Sequence, residues 1–291
     1  MLPRTPTNGS LCHGNAHKTI ACQAIAGDHD IAGIDVDIEQ QDDDPTARCV
    51  PTTALVINLK RRPDRWQNTV RRLSMCLPKS VGVERVVATD ARDHAYLTAP
   101  QAICRSFTRA IERVQAARTA GTLRNTDWVL VFEDDILPHR RFGDLFTQLC
   151  RRLPALSARK QPPPLVYIGA NQYGLKGDPT ATLQRMRDAK NLTLRASNRH
   201  TLGAFGILYR VDAMCDVVAP RVREVGMRTP YDNLLAQLPW ARYGYGTPLI
   251  CWPNLVIADV RDSDARCSRD LVQFARTRHW HLDDYIHTTT L

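Results

Sequence analysis

Residues 128–138 read WVLVFEDDILP. Trp128 to Phe132 are apolar and β-prone, and they run without a break into Glu133, Asp134 and Asp135, then Ile136, Leu137 and Pro138. Such a segment predicts a buried strand whose C-terminal end delivers carboxylates into a crevice. If the backbone stays extended, Glu133 and Asp135 share one face and Asp134 takes the other. Three carboxylates this close repel one another, and burying them unpaired is costly, so the arrangement makes best sense around a cation with oxygen ligands. In open α/β sheets ligands bind outside the carboxyl ends of the strands, where these acids fall. The plainer reading is an acidic turn that leads into a helix starting near Arg141.

Working outward, ALVINL (54–59) predicts a second buried strand, and Pro63 opens a helix over PDRWQNTVRRLSMC with Trp66, Val70, Leu73 and Leu77 on one face. Between them stand Lys60, Arg61 and Arg62, with Arg65 one turn on. Cations at a helix N-terminus oppose its dipole, so they call for an anionic ligand unless Asp64 neutralises them locally. VERVVA (83–88) predicts a further strand with Thr89-Asp90-Ala91 as its exit, followed by a helix over 100–118 that turns Ile103, Phe107, Ile111 and Val114 inward. Beyond the central strand come a helix near 141–153, a strand LVYIGA (165–170) and a polar stretch, 171–198, long enough for a functional loop or lid. TLGAFGILYR (201–210) reads as a strand that enters a helix with Asp212 as N-cap. Strands alternating with helices predict an α/β fold, a Rossmann-like, mainly parallel sheet flanked by helices, with less regular structure after residue 220.

Composition divides the chain in two. The first fifty residues hold eight acids against three basic residues, include Asp42-Asp43-Asp44 and show no periodicity. Residues 1–52 therefore read as a disordered or loosely attached acidic leader, dispensable for folding, and residues 53–291 as one domain. The formal charge of +9 invites a nucleic-acid partner, but only six of the 39 basic residues are Lys, and the Arg residues are spread along the chain instead of forming a stripe with interleaved aromatics. The nine Cys never form a C-x-x-C pair, which predicts reduced, mostly buried thiols. No run approaches eighteen apolar residues and the first residues lack an apolar signal core. The expectation is a soluble protein without a transmembrane segment, cytoplasmic, or in the host cytoplasm or virion for a viral source.

Six segments, taken in order, resemble glycosyltransferase family 25, the group that includes lipopolysaccharide β-galactosyltransferases and procollagen galactosyltransferases. VINLKRRPDRW (56–66) is similar to the family's opening strand and turn, RVVATDARD (85–93) to its second strand with an Ala-x-Asp-like turn, and VLVFEDDIL (129–137) to its Glu-Asp-Asp strand. LGAFGILYRVDAM (202–214) is similar to its Gly-rich strand and following helix, TPYDNLL (229–235) to its Pro-Val-Asp segment, and Asp262-Ser263-Asp264 to the Ser-Asp pair near its end. Together they span about 210 residues. The chain departs from the pattern at Phe107, which stands where the family has His, and at Tyr231, which replaces Val. The leader has no counterpart.

The resemblance implies a GT-A fold and metal-dependent transfer of a hexose, galactose or glucose, from a UDP-sugar to a hydroxyl of a glycan or protein, with inversion. A leaving diphosphate is highly charged, so the reaction calls for a hard divalent ion, Mn²⁺ or Mg²⁺, with Asp135 first and Glu133 second as its ligands. Asp134, Asn58, Arg62 and Asp90 are the candidate donor contacts around the exit of the first strand. An inverting transfer needs a base for the acceptor's proton, and Asp232, just after Pro230 at the start of an apolar helical run, is the candidate; the plainer reading makes it a helix-terminal acid. His279, His281 and His287 are available as further metal ligands. A Mg²⁺-dependent nuclease or phosphohydrolase could use the same acids, and an Arg-rich nucleic-acid-binding protein is the other alternative, which the acids oppose because they repel phosphate. A transferase fold kept for scaffolding is a third, since the family's His is absent.

Overall fold

The apolar run forms the strand that its pattern requires, β3 (Trp128–Glu133), and five of its six residues are completely or almost completely buried. The computed structural model describes residues 50–94, 96–172, 191–225, 228–262, 264, 269–278 and 280–286. All of these lie in the larger of two units into which the chain divides, Gly33–Leu291. Residues 1–49 of the leader, residues 173–190 of the polar stretch, Ser263, His279 and His287 lie outside the described residues.

Around β3 the strands are β1 (Thr53–Leu59), β2 (Gly82–Ala88), β4 (Ile136–Pro138), β5 (Leu165–Gln172), β6 (Thr193–Ala196), β7 (Thr201–Arg210), β8 (Leu249–Trp252) and β9 (Val256–Ala258). Seven form one sheet in the order β2-β1-β3-β7-β5-β8-β6, and β4 pairs with β9 in a second, two-stranded sheet. The pairings β1 with β2, β1 with β3 and β5 with β8 are parallel, as expected. β7 runs antiparallel to both β3 and β5, and β6 antiparallel to β8, so the sheet is mixed. A continuous apolar run such as β7 reports burial on two faces and says nothing about direction. Part of the stretch expected to be irregular, Thr193–Ala196, is the edge strand of this sheet.

The helices are α1 (Pro63–Cys76), α2 (Ala99–Thr119), α3 (Phe142–Ser157), α4 (Val211–Ala213, continued through a π-helical turn at Met214–Val218 into Ala219–Val225), α5 (Tyr231–Gln237) and α6 (Leu271–Arg278). Alternate residues of β3 serve opposite layers. Leu130 and Phe132 pack in one cluster with Leu73 of α1 and Phe142 and Phe146 of α3, whereas Val129 and Val131 join Phe107 and Ile111 of α2 in the other. Fully burying each such side chain contributes about 1.5–3 kcal/mol.

Two local expectations are corrected. α1 buries Thr69, Arg72, Leu73 and Cys76, while Trp66 and Val70 are only partly covered. The helix is rolled by polar contacts: Thr69 Oγ1 donates to the Asp134 carbonyl at 2.7 Å and Arg72 Nη1 to the Ile136 carbonyl at 2.8 Å. Asp212 is not the N-cap of α4, which begins one residue earlier with Arg210 at the cap position. The Val211 and Asp212 amides donate to the carbonyls of Asp127 and Asn125, and Asp212 Oδ1 accepts the Ala213 amide at 2.7 Å from within the first turn. The five described cysteines, Cys76, Cys104, Cys150, Cys215 and Cys251, are buried and form no disulfide with one another. No described helix is long and apolar enough to cross a membrane.

Candidate active site

At Glu133 the extended backbone ends, Asp134 and Asp135 form a bend, and β4 starts at Ile136. The bend is held from four sides. Asn58 Nδ2, from the end of β1, donates to Asp134 Oδ2, and Thr69 holds the Asp134 carbonyl. The Asp259 amide, one residue past β9, donates to the Asp135 carbonyl. Arg65 Nη2 pairs with Asp134 Oδ1 and, at 3.1 Å, with Asp135 Oδ2. Strand alternation is thus replaced by a bend, yet Glu133 and Asp135 still look into common space.

Two adjoining cavities meet at those two carboxylates. The first, of about 160 Å³, lies at the carboxyl ends of β1, β2 and β3 and is lined by Arg61, Arg65, Thr89, Asp90, Ser106, Glu133, Asp134, Asp135 and Asp264, with an apolar wall from Ile57, Leu59, Ile103 and Phe107. The second, of about 340 Å³, has Glu133, Asp135, Asn171, Asp232, Asn233 and Arg269 among aromatic walls of Phe107, Phe205, Tyr231 and Phe274. Phe107 and Tyr231 stack with centroids 4.0 Å apart, so Phe107 is part of the wall between helices α2 and α5.

Burial dominates the electrostatics. Glu133 is pushed up to about 8, first by burial and then by the charges of Asp135, Asp232 and Asp134, with Arg65 pulling the other way. Burial also raises Asp134 to about 6, against the opposing pull of Arg65 and Asn58. Asp135 is raised as well, again by burial, and its Oδ1 is buried without a hydrogen-bond partner. Asp90 and Asp264 go the other way: burial works to raise both, but the Arg92 amide and Arg61 hold Asp90 below the usual carboxylate value, and Arg61, Arg62 and Arg65 do the same for Asp264.

Among the described residues no three His, Cys, Asp or Glu side chains form a group that could hold a metal ion by themselves. Asp135, with its unpartnered oxygen, and Glu133 remain a two-carboxylate donor set. That set suits a hard divalent ion that draws its other ligands from phosphate and water.

The expected site residues fall into three groups. Glu133, Asp134, Asp135 and Asp90 converge on the first cavity, and Asp232 joins Glu133 and Asp135 at the second. Asn58 and Arg62 line neither cavity. Asn58 spends its amide group on Asp134 and on the Arg62 carbonyl, 3.0 Å away, and Arg62 pairs with Asp64 and Asp264. Asn58 is 1% exposed, so it shapes the acidic bend and is not placed to touch a ligand. His281 also lines neither cavity. Asp232 is in the first turn of α5, where both of its oxygens accept amides, from Gly203 at 3.0 Å and from Asn233 at 2.9 Å.

Sequence reasoning singled out Arg61 and Arg65 as cations that call for an anion, but it could not name Asp90, Asp134, Asp135 and Asp264 as the carboxylates that meet them. It also had no means of assembling the aromatic wall, whose members come from α2, β7, α5 and α6. No protein-family model matches the chain, and no curated protein matches it.

Proposed function

We propose that the chain is a nucleotide-sugar-dependent hexosyltransferase of GT-A type, similar to glycosyltransferase family 25, that moves galactose or glucose from a UDP-sugar to a hydroxyl of a glycan or protein. The observation that carries this reading is the pair of cavities sharing Glu133 and Asp135. A transferase must hold two substrates on either side of one reacting centre, whereas a phosphohydrolase or nuclease needs one substrate and water. The first cavity, with its arginines and the Asp90 turn, suits a nucleoside diphosphate. The second offers aromatic faces for the apolar faces of sugar rings and carboxylate and amide groups for their hydroxyls.

Bound at Asp135 and Glu133, Mn²⁺ or Mg²⁺ would supply charge stabilisation for the leaving diphosphate. Arg61 and Arg65 add fixed positive charge beside it. Asp232 faces the second cavity, with both oxygens oriented by backbone amides, and is the group that accepts the acceptor's proton in this reading. The donor sugar and the acceptor are to be identified by a panel of nucleotide sugars.

The test is calorimetry with UDP, with and without Mn²⁺. Asp135→Asn keeps the shape of the bend and removes a charge, so metal-dependent UDP affinity should fall by about 1–3 kcal/mol. Unchanged UDP binding in that variant sinks the reading, and tighter binding to duplex DNA than to UDP at physiological salt would put a nucleic-acid function in its place.

A further inference from the structure

Three guanidinium groups at the start of α1 meet on one carboxylate. Asp264 Oδ1 pairs with Arg61 Nη2 at 2.7 Å, and Asp264 Oδ2 pairs with Arg62 Nη1 at 2.9 Å and Arg65 Nη1 at 3.0 Å. Each arginine has an acid of its own besides: Asp90 for Arg61, Asp64 for Arg62, and Asp134 and Asp135 for Arg65. Asp264 is the one that all three share, and it arrives from about two hundred residues downstream. The side chains of Arg62, Arg65 and Asp264 are only 11–14% exposed, so these charges are largely withdrawn from water and depend on one another.

We propose that Arg61 and Arg65 form a cradle for a diphosphate, with Arg62 as a further partner of Asp264, and that Asp264 is an internal counter-ion which occupies the cradle until a diphosphate displaces it. The identity of the ligand rests on the nucleotide-donor reading above; the cradle rests on the geometry. Arg61, Arg65 and Asp264 line the first cavity beside Asp135, so the shared carboxylate sits where ligand oxygens would enter. The guanidinium fork matches phosphate as well as carboxylate, and a phosphate brings more charge and more acceptor oxygens to the same donors. α1 is 14 residues long, and its N-cap residue, Arg62, makes no side-chain capping hydrogen bond, so beyond Asp64 in the first turn the helix dipole reinforces an anion at this place. The placement of three cations against that dipole, unfavourable alone, is accounted for by an anion that is always present, first Asp264 and then the ligand. An internal competitor lowers apparent affinity by the fraction of molecules in which it holds the site, and its removal restores that affinity.

The experiment is calorimetry of the full chain with inorganic pyrophosphate and Mg²⁺. Asp264→Asn retains the shape and removes the competing charge, so pyrophosphate should bind about tenfold more tightly than to the wild type, the scale of one charge-assisted hydrogen bond. Adding Arg61→Gln to that variant should abolish the gain. Equal or weaker binding by a folded Asp264→Asn protein overturns the proposal and makes Asp264 a structural clamp. If Asp264→Asn does not fold, Arg61→Gln alone decides: about tenfold weaker pyrophosphate binding supports the cradle, and unchanged binding overturns it. Turnover of UDP-sugars is measured in parallel. Turnover together with pyrophosphate binding indifferent to Asp264 and Arg61 overturns the cradle and leaves the transferase reading. Tightened pyrophosphate binding with no UDP-sugar turned over does the reverse.

Discussion

Arg65 holds the acidic bend together, and replacing it should expose how much strain three neighbouring carboxylates store. Its guanidinium pairs with Asp134, Asp135 and Asp264, its side chain is 11% exposed, and that of Asp134 is 9% exposed. Arg65→Met keeps most of the buried stem and removes the charge. Removing one partner from a buried ion pair costs about 3–5 kcal/mol, because the remaining charges are left unpaired. At about 2–4 °C per kcal/mol for a domain of this size, the melting temperature at pH 8 should fall by about 6–20 °C. The pH dependence gives a second reading. Asp134 stands at about 6 even with Arg65 in place, above the ordinary 3.8, so it is a carboxyl whose folded form holds its proton longer than the unfolded form. Such a group lowers stability as pH rises from the unfolded value through the folded one. Without Arg65 that penalty grows, so the deficit of the variant should be largest at pH 8 and shrink as pH approaches 4. Differential scanning calorimetry without added metal at pH 8, 6 and 4.5 is the assay, and Asp134→Asn in the Arg65→Met background should restore part of the loss. A melting temperature within about 1 °C of wild type at pH 8 would refute the claim that Arg65 neutralises the bend.

Three other outcomes are expected. Asp232→Asn should slow transfer by about 10² to 10⁴ while leaving UDP affinity intact; near-normal turnover would return Asp232 to the plain role of a helix-terminal acid. Gly203 has φ +86 and a Cβ there would lie 2.7 Å from the Phe205 ring, while its amide orients Asp232. Gly203→Ala should therefore reduce turnover about 10- to 100-fold through displacement of Asp232, with UDP binding spared, and equal losses in both would show a wider collapse. His139 is buried, accepts the Arg141 amide at Nδ1, and is held below its ordinary 6.5, chiefly by burial. A depressed histidine contributes stability above 6.5 that is lost as pH falls through its folded value. The urea midpoint of wild type should accordingly exceed that of His139→Asn at pH 7.5 by a margin that narrows below 6.5, and a constant margin down to pH 5 would be the contrary result.

Much of the layout follows from local pattern. The apolar run of β3, the enclosed β1, Pro63 in the first turn of α1 and the long amphipathic α2 are legible because burial and backbone sterics act over a few residues, wherever the segment ends up. So is the clustering of Glu133, Asp134 and Asp135 at a strand end beside a cavity. The direction of β7 was not legible, since a strand buried on both faces has the same composition either way. Neither was the roll of α1, because Thr69 and Arg72 are polar by type and become interior residues only when the Asp134 and Ile136 carbonyls are there to receive them. Asn58 illustrates the same point within the site: its position beside the first turn suggested a ligand contact, and its amide is instead consumed by Asp134. Asp264 and Arg65 lie 199 residues apart, and Asp232 meets the Gly203 amide across 29. Which cation faces which carboxylate is settled by packing that brings distant segments within about 3 Å, since pairing energy in a partly dry site depends on that distance and on the water removed, and neither quantity is written in the order of the residues.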